Sequence, residues 1–228
     1  MLPKFNIAID GPASAGKSTV ARLVAKSLGF VYIDTGAMYR AVTWKALEAG
    51  LGPEQKEELV RLASQLQIEL YPGEHGQQVL LNGKDITGEI RSQAVSNAVS
   101  SISAIPDIRK LLVQKQKEMA KHKGVVMDGR DIGTHVLPDA ELKIFLTASV
   151  KERAARRYLE LKAKNEPVTL AQIEAEIAER DRLDEQREAS PLVKADDAIL
   201  LDTTGLAIDQ VVERILHLAK TVTVEETS

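Results

Sequence analysis

Eight consecutive residues, Gly11 to Ser18, read GPASAGKS, and their types and spacing suit one task, holding the phosphates of a nucleoside triphosphate. Glycines let a short loop turn tightly and aim its amide N–H groups at an anion, and a helix beginning directly after the loop adds partial positive charge. In the pattern GxxxxGKS the lysine reaches the β- and γ-phosphate oxygens and the serine hydroxyl ligates Mg²⁺. Lys17 and Ser18 hold those places, Thr19 follows as an α-phosphate contact, and Gly11, Pro12, Ala13, Ser14, Ala15 and Gly16 form the cradle. Such a loop identifies a bound nucleotide and not a reaction, so GTPase, ATPase and small-molecule kinase all stay open at this point.

Three further clusters could act on the far side of a γ-phosphate. Asp34, Thr35 and Gly36 are followed by Arg40 about one helical turn on, and VVMDGRDIGT packs Asp128, Arg130 and Asp131 into four positions. An aspartate directly after a buried strand run stands where P-loop enzymes keep the carboxylate that helps hold hydrated Mg²⁺. Ser18 and Asp128 are therefore the candidate metal ligands. A guanidinium fork matches phosphate oxygens two at a time, so Arg40 and Arg130 read as flanking one phosphate. The third cluster lies between Lys151 and Glu188 and holds Arg153, Arg156, Arg157, Arg180, Arg182 and Arg187. The first three fall on neighbouring turns of one helix, so at least two can face a triphosphate together. Because phosphoryl transfer needs alignment and charge neutralisation more than covalent chemistry, Lys17, Arg130, Arg156 and Arg157 are the candidate catalytic groups. His75, His122, His135 and His217 join no constellation, and a phosphate acceptor is already ionised, so no general base is sought.

These residues must be held by strands and helices, and short apolar runs supply the strands. Phe5 to Asp10, Val31 to Ile33, Val125 to Met127, Leu142 to Leu146 and Ala198 to Leu201 each precede helix-forming sequence, the pattern of a wound α/β protein with a parallel sheet. Val20, Leu23, Val24 and Leu28 give the first helix its apolar stripe. Between the second and third strands lies a long stretch of other character: helical periodicity from Pro53 to Leu66, then a hairpin of Ile68 to Tyr71 and Val79 to Leu81 around Pro72, Gly73 and Gly76. After Asn82 and Gly83 it reads as further helix. A hairpin cannot easily join a parallel sheet, so this stretch is expected as a separate lobe. The expected division is a core of 1–36, 124–150 and 189–228, an inserted lobe of 37–123 and an arginine-rich lid of 151–188. The tail from Val222 to Ser228 is expected to fray.

Composition narrows the class. With 228 residues and 44% hydrophobic content the chain can bury a three-layer core with smaller lobes, and its net charge of −3 argues against nucleic acid or membrane surfaces as partners. It has no cysteine, which excludes disulfides and thiolate chemistry. With neither a long apolar run nor a leader-like start, the chain is expected in the cytoplasm.

The strings DTGAMYRA (34–41), DGRDIGT (128–134) and ERDRLDEQR (179–187), together with the P-loop and in that order, resemble the bacterial cytidylate kinase family. The resemblance runs essentially end to end and includes the long insert. It implies a P-loop NTPase three-layer α/β fold with a parallel central sheet, an inserted monophosphate-binding lobe and a helical lid. It further implies ATP-dependent phosphorylation of CMP and dCMP to CDP and dCDP, with Mg²⁺, by a monomer. Carried over position by position, Arg40 and Arg130 bind the acceptor phosphate with Thr35 close to the nucleoside. Ser100, Arg109 and Asp131 read the base with Arg187 close by, and Arg180 and Asp184 address the ribose hydroxyls. Spacing alone reads Ser100 as a helix-surface residue and Arg109 as a solvated charge. Chemistry favours the family's assignment: cytosine offers an N4 amino donor, which wants a carboxylate, and N3 and O2 acceptors, which want donors. A kinase for another monophosphate such as UMP, a kinase for a small alcohol and a GTP-binding switch are the rivals. The last reads guanine through NKxD, which is absent, while its DxxG occurs uninformatively as Asp85 to Gly88 and Asp202 to Gly205. A loop at Asp202 to Gly205, after the last strand, is expected near the adenine.

Overall fold

The computed structural model describes residues 3–73, 76–163 and 166–225, so the hairpin tip at His75 lies outside it. β1 (Asn6–Asp10) is buried along its whole length, and the chain leaves it through Gly11 at φ 146, where a Cβ would stand 2.0 Å from the carbonyl oxygen of Leu146. Only glycine fits that approach. α1 (Lys17–Leu28) starts from Gly16 in the left-handed region and ends on Gly29 in the same conformation, burying Val20, Ala21, Val24 and Ala25 at helical spacing. β2 (Val31–Asp34) passes without a loop into α2 (Thr35–Glu48), because the Asp34 carboxylate accepts the Ala37 N–H and caps the helix.

α3 (Lys56–Ser64) follows, then β3 (Ile68–Gly73), β4 (Gly76–Leu81) and β5 (Lys84–Asp85), which form an antiparallel sheet of their own. The sequence reading continued from Asn82 and Gly83 into helix. Both residues instead adopt positive φ (50 and 79), the geometry of a tight hairpin turn, and the chain returns as β5 before any helix begins. A 3-10 turn at Glu89–Arg91 leads to α4 (Gln93–Ser103), capped by Ser92, and to α5 (Pro106–Met119), which opens on proline where a missing N–H costs nothing. Met38 and Val42 of α2, Leu59 of α3, Val79 of β4, Ile102 of α4 and Ile108 of α5 meet in one apolar core.

The chain then returns to the large sheet as β6 (Val125–Gly129), makes a π-helical turn at Ile132–Val136, and adds β7 (Leu142–Thr147). α6 (Val150–Ala163) and α7 (Leu170–Gln186) form a hairpin whose buried cluster is Ala154, Leu161, Ile173 and Ile177. β8 (Ile199–Asp202) and α8 (Ile208–Glu225) finish the fold. The tail expected to fray from Val222 is helical as far as Glu225, and 226–228 lie outside the described residues.

The five strands of the large sheet run parallel in the order β2-β6-β1-β7-β8. Strand alternation sends Ile7, Ile9, Val126 and Ile144 to one face, where they meet Val24 of α1 and Ile215 of α8. Ala8, Ile33, Val125 and Met127 face the other way, onto Ile132 and Val136 of the π-helical turn. The result is the three-layer α/β fold that the strand runs led us to expect. Its adjacent strands β1 and β6 end side by side, with Asp10 opposite Gly129, and their carboxyl ends carry the P-loop and the Asp128 to Asp131 cluster. Among the described residues no helix is long and apolar enough to cross a membrane.

Candidate active site

A cleft of about 1000 Å³ opens above the carboxyl ends of β1 and β6, walled by the P-loop, by α2, α4 and α5 on one side and by α6 and α7 on the other. At its P-loop end the backbone is strained into an anion cradle: Ser14 (φ 58) and Gly16 (φ 84) both sit in the left-handed region. The cleft's lining starts at Ala13. Gly11 and Pro12, read from sequence as part of the cradle, stand behind it: proline has no N–H to offer, and the Pro12 carbonyl accepts the Lys17 ammonium at 2.6 Å. Burial, followed by repulsion from Arg130, pushes the Lys17 pKa down.

Ala13 also departs from the sequence reading. Its N–H donates to Asp181 Oδ1 of α7 at 3.2 Å and its carbonyl accepts from Arg153 of α6 at 2.9 Å, so its amide is not among the free donors of the cradle. Arg153 lies 2.6 Å from Asp181 and is buried, while Arg156 and Arg157 line the cleft as expected. Arg156 donates to the hydroxyl (3.2 Å) and carbonyl (2.9 Å) of Thr203, which ties α6 to the loop after β8. Leu206 of that loop and Ile208 and Val211 of α8 line the cleft as well, an apolar surface of the kind a purine ring covers.

The hydroxyl of Ser18 donates to Asp128 Oδ2 at 2.9 Å, and the Tyr32 hydroxyl donates to Asp128 Oδ1 at 2.8 Å. Asp128 belongs to β6 itself and is 3% exposed, so it is no turn residue. Burial, then the negative charge of Asp34, raises its pKa, while Lys17, Tyr32 and Ser18 oppose the rise. Among the described residues no group of three or more His, Asp or Glu side chains could hold a metal on its own. One carboxylate beside one hydroxyl suits Mg²⁺, which keeps waters and takes phosphate oxygens for the rest of its shell. Thr35 also commits its hydroxyl, to the Asp128 carbonyl at 2.7 Å, which turns it toward β6.

Arg40, Arg130 and Arg180 share the middle of the cleft. Burial and then the charges of Arg130 and Arg40 push Arg180 down to about 9, and Arg40 is lowered by burial and, in part, by Arg130. Asp184 answers some of this, accepting from Arg130 Nε at 2.9 Å. The Arg180 Nε is buried without a hydrogen-bond partner. Three guanidinium groups that repel one another around a cavity form a place for an anion.

Beyond them lies the wall expected to read a base. Asp131 Oδ2 accepts from Arg109 at 2.6 Å, both groups being nearly inaccessible, and Arg109 also donates to the Ser103 carbonyl and lies 5.0 Å over the Tyr39 ring. The other oxygen, Oδ1, has Arg187 at 4.0 Å, and Arg187 also approaches Asp184 at 3.8 Å. Arg109 Nε and one terminal nitrogen of Arg187 are buried with no hydrogen-bond partner. Ser100 is 8% exposed at the same wall and Arg109 3%, so the reading of both from spacing as solvated helix positions is corrected. Helical spacing shows which face a residue shares, but not that α4 and α5 turn this face toward β6.

The sequence reading missed other residues that shape the site. Asp10, 5% exposed, accepts the N–H groups of Ile132 and Gly133 at 2.8 and 2.7 Å and so fixes the chain just after Asp131. Burial pushes its pKa up to about 6. Tyr32 and Ser103 had no motif to mark them, and Tyr39, although inside the string DTGAMYRA, was given no role; Asp10 did have one signal, a charge at the end of an apolar strand. His122, His135 and His217 are exposed and outside the cleft.

A family model described as cytidylate kinase matches residues 7–221. The cytidylate kinase of Geobacillus kaustophilus is 54% identical over 218 residues, covering 96% of this chain and 97% of that one. That of Bacillus cereus is 54% identical over 215 residues, covering 94% and 96%. Among solved structures, a gluconokinase from Sinorhizobium meliloti superposes with a TM-score of 0.51 at 13% identity, covering 97% of each chain. An uncharacterized protein from Eubacterium ventriosum gives 0.54 at 11% identity, covering 96% of this chain and 99% of that one. At such identities the structural likeness bears on the fold alone.

Proposed function

The chain belongs to the cytidylate kinase family, and we propose that its cleft binds ATP on the P-loop and CMP or dCMP against the arginine wall, giving ADP with CDP or dCDP. The observation that carries the choice of base is the buried Asp131 with its neighbours. Oδ1 is left to accept a hydrogen bond, and Arg109 Nε and an Arg187 nitrogen are left to donate. Cytosine presents the complement, an N4 donor beside N3 and O2 acceptors. Uracil would set O4 against the carboxylate and an N3–H against arginine, and a buried polar site left unpaired costs discrimination of about 10⁴–10⁵-fold.

In the reaction an oxygen of the acceptor phosphate attacks the γ-phosphorus, and the bond from that phosphorus to the β-phosphate oxygen breaks. Amides from Ser14 to Thr19 hold the triphosphate and Lys17 moves from Pro12 to its β and γ oxygens. Arg40 and Arg130 grip the acceptor phosphate, while Arg156 and Arg157 meet the γ-phosphoryl group in transit. Arg180 and Asp184 take the ribose hydroxyls, with Thr35 beside the nucleoside through its backbone. The Ser18 hydroxyl and Asp128 carboxylate would hold Mg²⁺, which supplies charge neutralisation at the β and γ oxygens. Residues 37–123 serve as the acceptor lobe, and 151–188 as a lid that keeps water from the γ-phosphate. The small apolar cluster of α6 and α7 supports a lid of low local stability. We read the protein as cytoplasmic and working on small molecules, with no nucleic acid or membrane partner, on the support of its acidic balance and lack of cysteine, and as a monomer on the family resemblance alone.

An acceptor panel tests this function. ADP release from ATP is expected with CMP and dCMP and at far lower rates with UMP, AMP, GMP and small alcohols. CMP turnover no higher than the no-acceptor control overturns the proposal.

A further inference from the structure

Ala13, a residue of the phosphate loop, has both of its backbone polar groups engaged by the lid. Asp181 of α7 accepts its N–H at 3.2 Å, Arg153 of α6 donates to its carbonyl at 2.9 Å, and the two side chains pair with each other at 2.6 Å. Arg153 is further fixed by its Nε, which donates to the Ala148 carbonyl at the foot of α6 at 2.9 Å. Both side chains are nearly inaccessible, at 4% and 11%. Neither lines the cleft. An ion pair drawn from two helices onto one peptide segment of the loop joins three pieces of chain at a point, and a buried guanidinium held between two carbonyls and a carboxylate allows little slip.

The position of Asp181 on its helix gives this contact a consequence. Arg180, the residue before it, faces the cleft, and Asp184, one turn on, holds Arg130 at 2.9 Å. Arg187, a further turn on, lies 4.0 Å from Asp131. α7 and the residue that ends it therefore touch the donor loop through Asp181 and the acceptor wall through Asp184 and Arg187.

We propose that Arg153 and Asp181 are positioning residues that lock α6 and α7 to Ala13 and thereby set the separation and line of the two phosphates between which the γ-phosphoryl group moves. The inference rests on the kinase function proposed above. It concerns alignment, since neither side chain needs to touch a nucleotide. Misplacing reacting atoms by about 1 Å costs on the order of 10²-fold in rate.

CMP turnover by the unaltered chain tests the function itself, and variants of that chain test the lock. Asp181→Asn keeps an oxygen for the Ala13 N–H but loses the charge facing Arg153, and Arg153→Lys keeps the charge but loses the fork. Each is expected to lower kcat by about 10- to 100-fold, with calorimetric Kd values for CMP and for a non-hydrolysable ATP analogue moving less than about threefold. Because both act through one contact, the double variant should lose about as much as the worse single one and not the product. If Asp181→Asn does not fold, Arg153→Lys alone decides. An unchanged kcat, multiplicative losses, or a fall in kcat matched by equal weakening of both ligands would overturn the lock.

Discussion

Lys17→Ala lowers kcat by about 10²–10³-fold, the scale of removing one charge-stabilising donor from a transition state, while the protein still folds. Lys17 is 6% exposed and its ammonium donates to the Pro12 carbonyl at 2.6 Å. No carboxylate stands within ion-pair distance of it among the described residues, and burial already disfavours its charge. Truncation therefore breaks no ion pair; it lets the buried Asp128 and Asp10 carboxyls, which the lysine's charge helps hold down, move further up, and it leaves a backbone carbonyl to find water. The transition state loses more, because negative charge on the transferring oxygens is then met without the one buried ammonium placed to reach them. Steady-state kinetics together with a thermal melt would separate the two effects. A variant with undiminished turnover would remove the P-loop lysine from the mechanism, and one that fails to fold would contradict the account of its surroundings.

Asp131 should produce the other large effect, and the choice of variant decides what is learned. Asp131→Ala leaves Arg109 buried and unpaired, a loss of about 3–5 kcal/mol of stability by comparison with other broken buried pairs. The rise in KM for CMP would then be mixed with loosening of the wall. Asp131→Asn keeps the volume and one acceptor oxygen, and adds a donor that uracil O4 can use. We expect kcat/KM for CMP to fall by roughly 10²–10³-fold and the preference over UMP to shrink by more than that, while KM for ATP stays within about threefold because Asp131 is not part of the phosphate loop. Equal effects on CMP and ATP would count against Asp131 as the residue that reads the base.

Much of this is readable from the chain itself, and for physical reasons. Strands buried on both faces are continuous apolar runs, so the inner strands β1, β6 and β7 declare themselves within a residue or two, and the half-exposed edge strands β2 and β8 still show as short apolar runs before helix. The P-loop is a local motif whose meaning needs only a strand before it and a helix after. What sequence could not give was whatever depends on how elements meet. Asn82 and Gly83 read as the end of a hairpin, although their positive φ values start a second one. Ala13 reads as an anion donor until α7 places Asp181 on its N–H. Ser100 and Arg109 look solvated by spacing and are buried by tertiary packing; only the resemblance to a family marked them. Tyr32 lies in a strand with nothing to suggest that its hydroxyl ends on Asp128 at 2.8 Å.

Gln77 shows the same limit from the side of the small sheet. It sits in β4, 6% exposed, and its amide accepts the Asp34 N–H at 2.9 Å while donating to the Tyr32 carbonyl at 2.6 Å. β2 is an edge strand of the large sheet, so a single side chain there satisfies backbone groups that would otherwise face water. A glutamine in a hairpin strand carries no such message in sequence. Yet the segment it braces bears both the Tyr32 hydroxyl that holds Asp128 and the Asp34 carboxylate that caps α2 ahead of Arg40.

The central claim is that one cleft holds a triphosphate on the P-loop and, facing it, a cytidine monophosphate read by Asp131 and its arginines. Calorimetry tests this most directly, with CMP, UMP and cytidine titrated in turn into the protein saturated with Mg²⁺ and a non-hydrolysable ATP analogue. The account predicts CMP binding at least about 100-fold tighter than UMP, and tighter than cytidine because the guanidinium cluster needs the phosphate. Equal affinity for CMP and UMP, or no binding of CMP to the loaded protein, would contradict it.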